Sequence, residues 1–105
     1  MAVLGVTQWR TRPGRAGQFI EACAQAKKIH LRLGARSVRL FQATFAGPNA
    51  NLLSYVLEFD SSAAQGAFSD KLAADGEWQK LWQSAGADPS ADVVSNSLSI
   101  EVSIG

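Results

Sequence analysis

The chain contains a single histidine, His30, and its position makes it the first candidate for chemistry. At about 100° per residue it shares one helical stripe with Phe19, Cys23 and Leu33, so its ring is expected to be shielded from water. A shielded imidazole has two interpretations. It is either a core histidine bonded to a backbone carbonyl or to Tyr55, or a catalytic group that acts as a general base or polarises a bound carbonyl.

Aromatic side chains form the second group of candidates. Trp78 and Trp82 recur with Leu81 and Ala85 at the spacing of one apolar helix face, which is typical of core packing. A small domain with three tryptophans can also use them to line an apolar pocket, where the indole N–H groups orient a ligand. Both interpretations stay open, and the predicted ligand-binding residues are Trp9, Tyr55, Trp78 and Trp82.

Stronger motifs are absent from the sequence. It has no phosphate-binding glycine loop, no cysteine and histidine spacing for a metal and no Ser/His/Asp order typical of hydrolases. One histidine also excludes zinc chemistry that needs several, so no metal and no cofactor are predicted. The single cysteine, Cys23, cannot form an intramolecular disulfide and is interpreted as a small hydrophobe on a helix.

Charge is unevenly spread along the chain. Residues 1–45 carry a net charge of +7 and residues 46–105 a net charge of −6. The bases form no run and do not alternate with stacking aromatics, so complementary halves within a dimer, or solvated faces, are favoured over a nucleic-acid groove. Arg10 and Arg39 could bind an anionic substrate, but pairing with Glu58 and Glu101 is favoured.

Membrane insertion and export are not predicted. The longest apolar runs are a few residues, too short to span a bilayer, and the first residues lack the pattern of a signal or transit peptide. A cytoplasmic protein without membrane partners is expected.

Hydrophobic periodicity divides the chain into four strands and three helices. Asp60 to Ser62 offer N-caps for the second helix, Asp75 is the expected N-cap of the third, and Gly34 is expected to end the first. The predicted elements are a strand over 3–11, a helix from Arg15 to Leu33, strands Val38–Phe45 and Leu52–Phe59 joined by a hairpin loop over 47–51, helices over 62–73 and from 76, a loop over 86–92 and a strand Val94–Ile104.

This βαββαβ order predicts one α+β domain over residues 1–105, with a ferredoxin-like fold. Its four-stranded antiparallel sheet would carry both long helices on one face. The last strand alternates cleanly, with its apolar side chains from Leu98 to Ile104 expected to point inward. The other sheet face, with Leu52, Val56 and members of the second-strand set Arg39, Phe41, Ala43 and Phe45, would be an exposed apolar patch, so a homodimer packed through this face is predicted.

Three segments resemble the dimeric α/β-barrel superfamily, and within it the NIPSNAP-like and antibiotic-biosynthesis-monooxygenase-like families. They are Arg12–Phe19 after the first strand, the helix end Leu33–Arg36, and Lys71–Gln79 at the entry to the short helix. The resemblance covers nearly the whole chain and implies the fold and the dimer. Because these families include monooxygenases, isomerases and domains without established activity, it implies little about function.

Two functions therefore remain open. The first is a small homodimeric protein that binds a small apolar or aromatic molecule. The alternative is a cofactor-independent monooxygenase or isomerase of the antibiotic-biosynthesis type, with a pocket bounded by Trp9, His30, Tyr55 and the Trp78/Trp82 helix. The resemblance does not extend to haem oxygenation, because the Asn/Trp/His set of the haem-degrading relatives cannot be placed here: none of Asn49, Asn51 and Asn96 lies in the first strand.

Overall fold

The computed structural model describes residues 1–44, 47 and 52–105, and it has the predicted ferredoxin-like architecture. The sheet order is β2-β3-β1-β4, and each neighbouring pair is antiparallel. In chain order the elements are β1 Val3–Thr11, α1 Ala16–Arg32, β2 Ser37–Gln42, β3 Leu52–Phe59, α2 Ser62–Ala74, α3 Gly76–Ala87 and β4 Ala91–Ile100.

Sequence periodicity located β1 and β3 to the residue, but β2 and β4 differ from the prediction. The strand β2 ends at Gln42, whereas Phe45 and residues 48–51 of the predicted hairpin loop lie outside the described residues. The strand β4 begins at Ala91 and ends at Ile100, instead of running from 94 to 104. Its length follows that of β1, because Thr11 pairs with Ala91 at one end and Val3 with Ile100 at the other.

All three helices contact the same sheet face. His30 and Phe19 of α1 meet Tyr55 and Trp9, while α2 and α3 add ring contacts to residues of that face. The core beneath them includes Phe59 and other largely buried side chains. No helix in the described ranges is long and apolar enough to cross a membrane.

The first helix ends at a glycine, as predicted. Gly34 has a φ of 115°, which L side chains rarely adopt. The Gly34 N–H donates to the Leu31 carbonyl at 3.2 Å and the Ala35 N–H to the His30 carbonyl at 3.0 Å. This pair of bonds is a Schellman motif, which satisfies carbonyls of the last helical turn.

Replacing Gly34 by alanine is expected to lower the free energy of unfolding by roughly 1–2 kcal/mol. A Cβ placed at Gly34 or at Gly17 would meet no atom of another part of the chain within 4 Å. The two sites therefore differ in their backbone conformation and not in the space available for a methyl group. Gly17→Ala, inside α1, should leave stability unchanged or raise it. Urea denaturation of both variants makes the comparison, and equal midpoints would show that Gly34 carries no conformational requirement.

The sheet face away from the helices is less apolar than the sequence indicated. Leu52 and Val56 do lie on it, but they are only 3% and 8% exposed within one chain. Both belong to an interior strand, and Val56 lies between Val6 and Arg39 of its neighbours. Phe41 is the large apolar side chain that remains half exposed there.

The apolar side chains of the last strand are also not buried as predicted. Leu98 and Ile100 share the helix-facing side of the sheet with Gly5 and Val3, yet more than half of each is exposed. The strand β4 is an edge strand, and the helices lie over β1, β2 and β3. Residues 102 and 104 lie beyond the strand and are exposed as well.

The two oppositely charged halves of the sequence form ion pairs with each other within one chain. Each ion pair that the structure describes joins an arginine of the first half to an acid of the second. Arg39 pairs with Glu58 at 3.7 Å, as expected, and Arg36 lies 3.1 Å from Asp60. The other pairs are Arg12–Asp92, Arg15–Asp88, Arg32–Asp75, Arg32–Glu77 and Arg36–Glu58.

Candidate functional site

A cavity of about 910 Å³ lies between the helix-facing side of the sheet and the three helices. One of its walls is β4, an edge strand on which Leu98 remains more than half exposed. The wall is mostly apolar and aromatic, with a few polar groups from β1 and β4. All five residues predicted as site candidates line it, namely Trp9, His30, Tyr55, Trp78 and Trp82.

The aromatic rings of the wall form a continuous series. Trp9 lies 5.3 Å from Phe19 and 6.4 Å from Trp82, measured between ring centroids. Trp82 is stacked on Trp78 at 5.5 Å, and Trp78 lies 4.6 Å from the imidazole of His30. Strand alternation places Trp9 on the same face as Tyr55, and the i, i+4 spacing of the other tryptophans aligns them along α3.

His30 and Tyr55 form a buried polar pair in this wall. The His30 Nδ1 atom is 2.6 Å from the Tyr55 hydroxyl, so the predicted bond between the two residues is present. Burial lowers the pKa of His30 to about 4 and raises that of Tyr55 above its ordinary value. Both side chains are therefore neutral at physiological pH, and His30 is a weak base.

The second ring nitrogen of His30 has no partner. Its Nε2 atom is buried and makes no hydrogen bond within the described ranges. Nearby Cys23 also lines the cavity, where burial raises the pKa of its thiol to about 11. Cys23 is thus an unreactive, half-buried thiol, in agreement with its interpretation as a small hydrophobe.

The helix α3 carries two tryptophans of the wall but has no fully buried residue. Ion pairs join it to the two ends of α1. Arg32 lies 2.9 Å from Asp75, the N-cap of α3, and Arg15 lies 2.8 Å from Asp88, its C-cap. The Asp75 carboxylate also accepts the Trp78 N–H, which together with Arg32 lowers the pKa of Asp75. Exposed ion pairs contribute little stability, so the packing of Trp78 and Leu81 against the core is what mainly holds α3 on the sheet.

Several wall residues were not predicted as site residues. Phe68 packs at 5.6 Å from His30, and the Thr7 hydroxyl donates to the Asn96 amide oxygen at 3.2 Å near the opening. Because side chains alternate along a strand, Thr7 lies on the same sheet face as Trp9, so the sequence pattern could have predicted it as a residue of the cavity wall. Within the described ranges no three His, Cys, Asp or Glu side chains are grouped so as to hold a metal.

Solved structures show where this architecture occurs. A NIPSNAP family protein of unknown function from Agrobacterium tumefaciens superposes with a TM-score of 0.72 at 13% identity, covering 93% of this chain and 86% of that one. The chain has the same fold. Rv0793 from Mycobacterium tuberculosis matches with a TM-score of 0.70 at 11% identity, over 99% and 98% of the two chains.

An antibiotic biosynthesis monooxygenase-like protein from Bordetella bronchiseptica matches with a TM-score of 0.66 at 16% identity, over 96% of this chain and 97% of that one. No protein-family model matches the sequence, and no curated protein matches it. The resemblance noted in the sequence is confirmed at the level of fold, and at such identities it extends no further.

Proposed function

We propose that the protein binds a small, largely apolar aromatic molecule in the cavity lined by Trp9, Trp78 and Trp82. The observation that supports this most is the continuous series of aromatic rings along a cavity large enough for a multi-ring ligand. Trp82 is 53% exposed, and an exposed indole at a cavity opening is available to stack on a ligand ring.

Binding is favoured over catalysis by the state of His30. A general base works best with a pKa near the operating pH, whereas burial holds the pKa of His30 at about 4. The alternative, a cofactor-independent monooxygenase or isomerase, draws support from the fold that the chain shares with the Bordetella protein. In that case His30 would orient the substrate rather than remove its proton.

The binding proposal predicts that tetralin, a two-ring hydrocarbon, binds in the cavity and that Trp82→Ala weakens this binding about tenfold. Chemical-shift titration of the indole N–H signals measures the affinity. Ile20→Ala is the matched control, because Ile20 is similarly exposed at 50% but does not line the cavity. Equal effects of both substitutions on tetralin affinity, or failure of the unaltered protein to bind either tetralin or its ketone α-tetralone, would contradict the proposal.

We further propose that the protein is a homodimer that packs through the sheet face without helices. Phe41 is half exposed on this face, and the serines of β4 give it a row of small side chains suited to flat sheet packing. Leu4 and Val6 add partly buried apolar surface beside them. A two-fold interface would cover Phe41 of both copies at once.

Phe41→Glu is expected to convert the dimer to a monomer of 11.2 kDa, because a charge would enter the apolar part of the interface. Phe41 is a better site for this test than Val56, which is already buried within one chain. Sedimentation velocity at micromolar concentration measures the mass, with Ile20→Glu on the helical side as control. A monomeric unaltered protein would contradict the dimer.

A further inference from the structure

His30 carries a polar atom that the protein leaves unsatisfied beside the cavity. The residue is 4% exposed and lines the cavity wall, and its Nε2 has no hydrogen-bond partner within the described part of the chain. Buried polar groups without partners cost free energy and are uncommon in native structures. A bound ligand that pairs with this atom would remove the cost.

The bond to Tyr55 bears on which ring nitrogen carries the proton. The Tyr55 hydroxyl lies 2.6 Å from Nδ1, and so short a distance favours a bond donated by the O–H group. Since the imidazole is neutral, a bond donated by Tyr55 to Nδ1 leaves the single ring proton on Nε2. In this tautomer the unsatisfied group is an N–H donor.

This inference rests on the binding function proposed above. The geometry points to the Nε2–H of His30 as the group that selects the ligand, by donating a hydrogen bond to a neutral oxygen acceptor such as the carbonyl of an aromatic ketone. Asp92 is the charged residue among those described in the wall, and it is paired with Arg12. An anionic ligand would find no cation in the described wall, and a pure hydrocarbon would leave the N–H unpaired.

Trp78 packs against the imidazole of His30 in the free protein. Its ring is the nearest aromatic neighbour of the imidazole, at 4.6 Å, and Phe68 lies at 5.6 Å. Contacts between an N–H group and an aromatic ring are weaker than a bond to a carbonyl oxygen. Trp78 is itself partly buried and packs against the core, so a ketone that displaces its indole has to replace these apolar contacts with its own ring.

Two near-isosteric probes test the inference: α-tetralone and tetralin, which differ by one carbonyl oxygen. Their affinities are measured by NMR titration for the unaltered protein and for His30→Phe, which keeps a ring but removes the donor. We expect the ratio of tetralone affinity to tetralin affinity to fall roughly tenfold in His30→Phe. Tyr55→Phe, which no longer fixes the tautomer, should lower the ratio less.

The unaltered protein also gives a direct readout, because its single histidine yields one set of imidazole signals after ¹⁵N-histidine labelling. Nε2 should be the protonated nitrogen, and its proton signal should move downfield with tetralone but not with tetralin. This readout remains decisive where His30→Phe fails to fold.

The possible results separate the two proposals. If both probes bind and the affinity ratio is unchanged in His30→Phe, or if Nδ1 carries the proton, the selection role is overturned while the binding function stands. If neither probe binds to the unaltered protein, the binding function is overturned and the selection role with it.

Discussion

Acidification from pH 7 to pH 4 is expected to lower the free energy of unfolding by about 3 kcal/mol through His30 alone. Burial lowers the pKa of this residue from 6.5 to about 4 in the folded protein. Between these values the unfolded chain binds a proton that the folded chain does not, so protonation favours unfolding. The contribution of the neutral His30 side chain to the free energy of unfolding is complete above pH 6.5, and it is lost progressively as the pH falls toward 4.

His30→Leu isolates this effect, because the chain has no other histidine. Its unfolding free energy should change little between pH 6.5 and about pH 5, whatever its value at neutral pH. The carboxylates of Asp75, Asp88 and Asp92 have lowered pKa values, so their contributions begin to be lost below about pH 5, and they are lost in both proteins alike. The same slope in both proteins, or an imidazole that titrates near 6.5, would show that His30 is not shielded.

Phe59→Ala is expected to cost about 3–5 kcal/mol of unfolding free energy, the largest effect of a single substitution considered for this protein. Phe59 is 2% exposed, and its ring packs against Phe68 at a centroid distance of 4.9 Å. Truncation removes buried apolar surface and leaves a cavity that neighbouring rings fill only partly. Many domains of this size have little more stability than this amount.

Leu31→Ala is the control for this substitution, because Leu31 is 42% exposed and should lose well under half as much stability. Urea denaturation at a fixed protein concentration compares the two, since the midpoint of a dimer depends on concentration. A cost below about 1 kcal/mol at Phe59 would place it outside the central core.

Local sequence signals predicted those features that depend on neighbouring residues. The side chain of Asp75 accepts the Trp78 N–H at 2.9 Å, as expected for the N-cap of α3, and Ser61 caps α2 in the same way. Strand alternation placed Trp9 and Tyr55 on one face, and helical periodicity directed His30 toward it. These signals were sufficient to bring the candidate site residues together.

Features that depend on the relative placement of distant elements could not be predicted from the sequence. The exposure of Leu98 and Ile100 depends on where the helices cross the sheet. Strand periodicity predicts on which face of the sheet a side chain lies, but it does not predict whether a helix packs over that side chain. The burial of Leu52 and Val56 comes from neighbouring strands. The unpaired Nε2 of His30, an observation on the described residues, depends on side chains from several distant elements, whose positions local sequence patterns do not give.

A crystal structure of the protein grown with α-tetralone tests most directly the claim that the aromatic cavity is the binding site. We predict ligand density between the indoles of Trp9 and Trp82 and the imidazole of His30, with the ketone oxygen within hydrogen-bonding distance of Nε2. An empty cavity at a saturating concentration of ligand, or density only on the sheet face that carries Phe41, would contradict the account.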